Sequence, residues 1–264
     1  MRPPPVRSLP VRSPPMRRLP VPGPLLPHLP VPEAPDDRAA PPARAETHLV
    51  ATARTARVVV MGAASAPRAV VALHGYGQRA DLFARHLAPH ASADCRVVVP
   101  EALSRFYLDV PTPEAVRASP RRRPRVGASW MTREEREADI ADLTAYLDTT
   151  AAAFVPPDAA VTGLGFSQGA AALVRWCVLG KADAPARLVL WGGLVPDDTL
   201  DALADGTVRL PPVTLVAGRA DGYLAPETVA AHAARLLDLG VDAAHIAFDG
   251  GHALDAGVLA DVLG

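Results

Sequence analysis

Ser167 sits between Gly165 and Gly169 in the run Val161-Thr-Gly-Leu-Gly-Phe-Ser-Gln-Gly169, directly after an apolar stretch and directly before an alanine-rich one. A serine that is to act as a nucleophile must be lifted clear of the backbone at a strand-to-helix corner. That corner is tight and strained, and neighbours carrying a Cβ would collide across it. Glycine two residues before and two residues after the serine gives the room. A chain rich in Gly and Ala can also produce this pattern as a plain tight turn, so the role of Ser167 depends on its partners. Ser129 has Gly127 before it, but Met131 stands where the second glycine would be needed.

A serine hydroxyl is a poor nucleophile until a base takes its proton, and a carboxylate must in turn hold the base. Both groups occur downstream in glycine-flanked loops. The apolar run Val213–Ala217 leads into Gly218-Arg-Ala-Asp221-Gly222, and Ala244–Phe248 leads into Asp249-Gly-Gly-His252. The chain order is therefore serine, acid, histidine, with Ser167, Asp221 and His252 in those roles. Asp197 and Asp198, which follow the apolar run Leu188–Trp191, are the alternative acids, and Asp249 is expected to cap its own loop. Of the other histidines, His74 is expected to anchor a loop and His232 to lie on the surface of a helix. His86 and His90 are four apart, but Pro89 and the lack of an accompanying Glu argue against a metal pair. No metal and no cofactor is expected.

Upstream, the apolar run Ala69–Leu73 ends in His74-Gly-Tyr-Gly77, where the glycines let backbone N–H groups face a site. The tetrahedral intermediate of acyl transfer needs donors aimed at its developing oxyanion. The expected pair is the backbone N–H of Gln168 and that of Tyr76.

Four segments, Leu73-His-Gly-Tyr-Gly-Gln78, Gly165-Phe-Ser-Gln-Gly169, Gly218-Arg-Ala-Asp221 and Gly250-Gly-His252, together resemble the phospholipase/carboxylesterase family of α/β-hydrolases, which includes acyl-protein thioesterases and small bacterial carboxylesterases. The likeness runs over residues 48–264. Pro100–Leu108 and Ser129-Trp-Met-Thr132 are closer to the bacterial esterase branch. Ala170 replaces a glycine that often follows the family motif, and Val110–Arg125 is a longer and more basic insertion than is usual. The resemblance implies an α/β-hydrolase fold and a cofactor-free carboxylesterase acting on short- to medium-chain acyl esters. Phe106, Leu108, Trp130 and Met131 would then line an acyl pocket, with plain core packing as the competing expectation. The same resemblance admits a thioesterase or lysophospholipase; a hydrolase-fold scaffold that binds a partner through its tail is the reading from another class.

These groups must be held by a framework, and the pattern of the chain supplies one. From His48 onward, short apolar runs alternate with helical stretches, which predicts a mainly parallel twisted sheet with helices on both faces. Strands are expected at Val50–Val60, as a hairpin or paired edge, and at Ala69–Leu73, Val97–Val99, Ala160–Gly163, Leu188–Trp191, Val213–Ala217 and His245–Phe248. Helices are expected near Ala80–Leu87, Arg133–Leu147, Gln168–Leu179, Pro226–Leu239 and Asp255–Leu263, with Thr132 and Glu135 forming a capping box.

Residues 1–45 are different in kind. Fifteen of the 29 prolines fall between Pro3 and Pro42, and Leu-Pro-Val recurs from Leu9, Leu19 and Leu29. Proline removes donors and fixes φ, so a solvated polyproline-II-like tail is expected, ahead of a catalytic domain over 46–264. Such a tail is compatible with an over-long gene start, with initiation near Met16 or later. A proline-rich ligand for a partner domain and an anionic-surface tether through Arg2, Arg7, Arg12, Arg17 and Arg18 are the functional alternatives. The formal net charge of −1 gives no general case for a nucleic-acid partner, and the two cysteines, Cys95 and Cys177, make no disulfide framework. No apolar run approaches the roughly 20 residues of a membrane span. The expected protein is cytoplasmic and soluble, acts on a small-molecule ester, and is compatible with a homodimer.

Overall fold

The computed structural model describes residues 46–109, 112, 117 and 123–264. The expected tail over 1–45 and most of the insertion between Val110 and Arg125 lie outside the described residues. Thr52–Gly264 forms one compact unit. Residues 46–51, which precede it, are exposed and carry neither helix nor strand.

Seven strands build the main sheet: β1 (Val58–Met61), β2 (Arg68–Leu73), β3 (Cys95–Pro100), β6 (Ala160–Phe166), β7 (Arg187–Trp191), β8 (Val213–Gly218) and β9 (Ala243–Phe248). Their spatial order is β1-β3-β2-β6-β7-β8-β9. Only β1 runs antiparallel, against β3; every other pair is parallel. A parallel sheet is covered on both faces, so its strands read as continuous apolar runs rather than alternating ones. The pleat still sorts them. In β2, Val71 and Leu73 enter one core with Leu143, Leu173 and Leu190, while Val70 and Ala72 enter the other with Phe83, Val97 and Leu164.

The first core is closed by α2 (Arg136–Phe154), α3 (Gln168–Leu179), α4 (Asp197–Ala204) and α5 (Pro226–Asp238), through residues such as Leu147, Leu173, Leu200 and Leu236. The second is closed by α1 (Ala80–Leu87) and α6 (Ala256–Leu263), through Phe83, Leu87, Leu259 and Val262. This is the expected α/β-hydrolase layering, with the loops that hold the candidate site residues at the carboxyl ends of parallel strands. Among the described residues, no helix is long and apolar enough to cross a membrane.

Several expectations change. The edge strand begins at Val58 rather than Val50, because residues 46–55 are exposed and pair with no strand. A two-stranded antiparallel ribbon, β4 (Ser104–Tyr107) with β5 (Val126–Ser129), stands apart from the main sheet and was not expected. Helix α2 starts at Arg136, since Glu135 adopts a left-handed conformation with φ 48°. Thr132 therefore makes no capping box with Glu135; its N–H donates to Asp139 Oδ2 at 2.8 Å instead.

Candidate active site

Ser167 occupies the corner between β6 and α3 with φ 54° and ψ −118°, one of two non-glycine residues with positive φ among those described. Holding a side chain there costs of order 1–3 kcal/mol, and the surroundings must over-determine it. They do so by close approach. A Cβ on Gly165 would run into the backbone of Ala170, and one on Gly169 would run into the carbonyl oxygens of Leu73 and His74. The Ser167 N–H donates to Trp191 O at 2.7 Å, which ties the corner to the end of β7.

The acid and the histidine arrive from the ends of β8 and β9. His252 Nδ1 lies 2.7 Å from Asp221 Oδ2, and the Asp221 side chain is 1% exposed. The other carboxylate oxygen accepts the N–H groups of Tyr223 and Leu224 at 2.8 and 3.1 Å. The carboxylate is thus fully engaged, and the ring nitrogen facing it must carry the proton. Phe166, the residue before the serine, packs against the imidazole with ring centroids 5.0 Å apart, and Tyr223 packs against it at 4.8 Å.

Ser167 and His252 approach the same corner. A Cβ on Gly192 would fall 2.9 Å from His252 Cε1, and one on Gly193 would fall 2.7 Å from Ser167 O. Among the described residues the two side chains are not hydrogen-bonded to each other. Such bonds are often long or misaligned before substrate binds.

On the opposite side lies the loop after β2. The Gly75 N–H donates to Gln78 Oε1 at 2.8 Å and the Gly77 N–H to Ala128 O at 2.9 Å. Among the described residues, the Tyr76 N–H is the one of the three without a partner. His74, fully buried, holds the base of this loop: its Nδ1–H donates to Gly75 O at 2.8 Å, and its Nε2 accepts the Ala102 N–H at 3.1 Å. Burial pushes the His74 pKa down, against opposing effects of the Gly75 hydrogen bond and the nearby Glu101 carboxylate. The neutral ring fits these two bonds, one donated and one accepted.

The other candidates divide. Asp198, an alternative acid by sequence, pairs with the buried Arg175 at 2.8 Å, whereas Asp221 is the carboxylate that meets His252. Asp249 does not cap its loop; it is exposed and pairs with Arg219. His232 is half-buried rather than superficial, with Nε2 accepting the Val195 N–H at 3.2 Å. Of the four residues expected around an acyl pocket, Phe106 and Leu108 are partly exposed near the loop after β2, with Phe106 5.1 Å from the Tyr76 ring. Trp130 and Met131 are 2% and 8% exposed and belong to the core.

Neither thiol competes with the serine. Cys95 is buried and its pKa is raised by that burial, and Cys177 is pushed up to about 11 by desolvation. Among the described residues, no group of three or more His, Cys, Asp or Glu side chains is placed to hold a metal ion. Two grooves of about 760 and 690 Å³ lie along α2 and the segment after it; Ser167, Asp221 and His252 line neither.

Comparison with known proteins agrees with this architecture. No curated protein matches the chain. Among solved structures, it is similar to esterase PE8, with a TM-score of 0.57 and 23% identity over 79% of this chain and 96% of that one. It is also similar to acyl-protein thioesterase 2 of Zea mays, with a TM-score of 0.54 and 18% identity over 80% of this chain and all of that one. A carboxylesterase of Bacillus cereus gives a TM-score of 0.54 and 17% identity, over 79% and 92% of the two chains. At such identities the likeness establishes the fold. The model of the serine hydrolase (FSH1) family matches residues 64–254, a span that holds Ser167, Asp221 and His252. The chain belongs to that family of serine hydrolases.

Proposed function

We propose that the protein hydrolyses carboxylic esters of short or medium acyl chain through an acyl-enzyme formed on Ser167. Ser167 Oγ attacks the acyl carbon while His252 Nε2 takes its proton, and Asp221 holds the imidazole in the tautomer that leaves Nε2 free. The oxyanion is bound by the N–H groups of Tyr76 and Gln168, the second lying at the N-terminus of α3, where the helix dipole adds to the attraction. His252 returns its proton to the departing alcohol, and water then releases the acid by the same route.

The observation that carries this reading is the 2.7 Å bond between His252 and Asp221, made beside a serine held at positive φ. The partly exposed rings and side chain of Tyr76, Phe106 and Leu108 next to the oxyanion loop offer apolar contact to an acyl group of modest length. Two proteins of similar fold, esterase PE8 and the Bacillus cereus carboxylesterase, are esterases by name.

The similarity to the Zea mays acyl-protein thioesterase favours one second reading, a thioesterase using the same residues. Turnover of matched oxygen esters and thioesters of increasing chain length separates the two. The ester reading expects the highest kcat/KM on short or medium oxygen esters. A consistent preference for long-chain thioesters would replace it with the second.

A further inference from the structure

The two oxyanion donors come from segments far apart in the chain, Tyr76 from the loop after β2 and Gln168 from the start of α3. Their separation must be held to a fraction of an ångström for both N–H groups to reach one oxygen, since a 1 Å misplacement can cost about 100-fold in rate. One residue is hydrogen-bonded to both segments. The Trp130 backbone N–H donates to Gln168 Oε1 at 3.0 Å, and the Trp130 indole Nε1–H donates to His74 O at 2.7 Å.

Both ends of this link are reinforced. Gln168 Nε2 donates to Met131 O at 2.8 Å and to Ser129 Oγ at 3.1 Å, so the side-chain amide grips three consecutive residues, Ser129 to Met131. At the other end, the indole packs against the His74 imidazole with ring centroids 5.2 Å apart. The strand leading to Trp130 is bonded to the same loop a second time, with Gly77 N–H donating to Ala128 O and Ala128 N–H to Gln78 O at 2.9 and 3.0 Å. Trp130 is 2% exposed, which keeps water from replacing either bond.

We infer that Trp130 is a positioning residue, a strut whose two N–H groups set the distance between the Tyr76 and Gln168 oxyanion donors. The inference rests on the assignment of those donors under the proposed function, but not on whether the substrate is an ester or a thioester. It gives the buried tryptophan a role in the transition state that a wall of an acyl pocket would not have. A wall acts on the bound acyl chain and therefore on KM, whereas a strut acts on the tetrahedral intermediate and therefore on kcat.

The test compares Trp130→Phe with Trp176→Phe in the full chain. Each keeps an aromatic ring and loses one buried indole N–H, but that of Trp176 donates to Asp148 Oδ1, outside the oxyanion segments. The readouts are the second-order rate at which a fluorophosphonate labels Ser167, the kcat and KM for an ester, and the thermal midpoint. Trp130→Phe is expected to slow labelling and lower kcat by a common factor of about 10 to 100, with KM within twofold of wild type. Trp176→Phe is expected to leave labelling within twofold, at a comparable shift in midpoint. Gln168→Met, which keeps the backbone N–H and removes the side-chain grip, is expected to slow labelling in the same direction, and it carries the test if Trp130→Phe fails to fold. Labelling of Trp130→Phe at the wild-type rate, or a raised KM with kcat unchanged, would overturn the strut. Wild-type protein that is labelled at Ser167 yet inert towards esters would end the ester reading and leave the labelling comparison to decide the role of Trp130.

Discussion

The Asp221 carboxylate spends one oxygen on His252 Nδ1 and the other on two backbone N–H groups two and three residues downstream. It is therefore held by its own loop before the imidazole arrives, and it sets the imidazole tautomer rather than being placed by it. Asp221→Asn keeps the shape but presents an amide that can hold the wrong tautomer. By analogy with the serine-protease triad, kcat for ester hydrolysis is expected to fall about 10⁴-fold with little change in KM, measured on protein whose thermal midpoint is checked in parallel.

Asp198 gives the complementary test, because it was, with Asp197, one of the alternative acids and is instead the partner of Arg175. The Arg175 side chain is 2% exposed while that of Asp198 is 55% exposed, so water partly screens the pair from the carboxylate side. Asp198→Ala is expected to cost about 1–3 kcal/mol in urea unfolding by stranding a buried guanidinium. The kcat of the folded fraction should remain at the wild-type value; a loss like that of Asp221→Asn would move the acid to α4.

Gly192 has φ 59° and lies against the imidazole. An alanine there meets a strained backbone and a Cβ 2.9 Å from His252 Cε1, so the ring must move away from its place beside Ser167. Gly192→Ala is expected to lower kcat by about 100-fold, the scale of an ångström misplacement. Unchanged turnover in this variant would show that His252 tolerates displacement.

His74, His90 and His232 all have pKa values lowered by burial, His74 being the most enclosed. A histidine whose folded pKa is depressed binds more protons when unfolded, so its stabilising contribution is full above the unfolded pKa and is lost as pH falls through the folded value. With an unfolded pKa of about 6.5, stability should begin to fall below that pH, chiefly through the fully buried His74. Urea unfolding between pH 7.5 and 5 measures this. His74→Asn is expected to flatten the slope, and an unaltered slope would assign it to other groups.

The parts of this site that were legible in the sequence are the ones local chemistry writes. The Gly165 and Gly169 pair, the glycine loop at His74 to Gly77, and the acid and histidine loops each announce a tight backbone over a few residues. Strands such as Val213–Ala217 were legible because burial on both faces makes an unbroken apolar run. The role of Trp130 was not legible: its indole partner is 56 positions away, and nothing near Trp130 reveals whether the ring faces the core or a substrate. The ribbon of β4 and β5 was missed because Ser104–Tyr107 and Val126–Ser129 are four residues each and pair across a long insertion. The capping box failed because Glu135 turned left-handed, leaving Asp139, one turn further on, to meet Thr132. His232 was misplaced for a similar reason, since its partner Val195 belongs to a loop on another element.

The most direct measurement is fluorophosphonate labelling of the full chain, with the modified residue located by peptide mass spectrometry and ester turnover followed on the same samples. The expected result is one modification, on Ser167, that abolishes turnover in proportion to its extent, with both lost in Ser167→Ala. Turnover that survives complete modification of Ser167, or that persists in Ser167→Ala, would contradict the assignment of the nucleophile and with it the acyl-enzyme route.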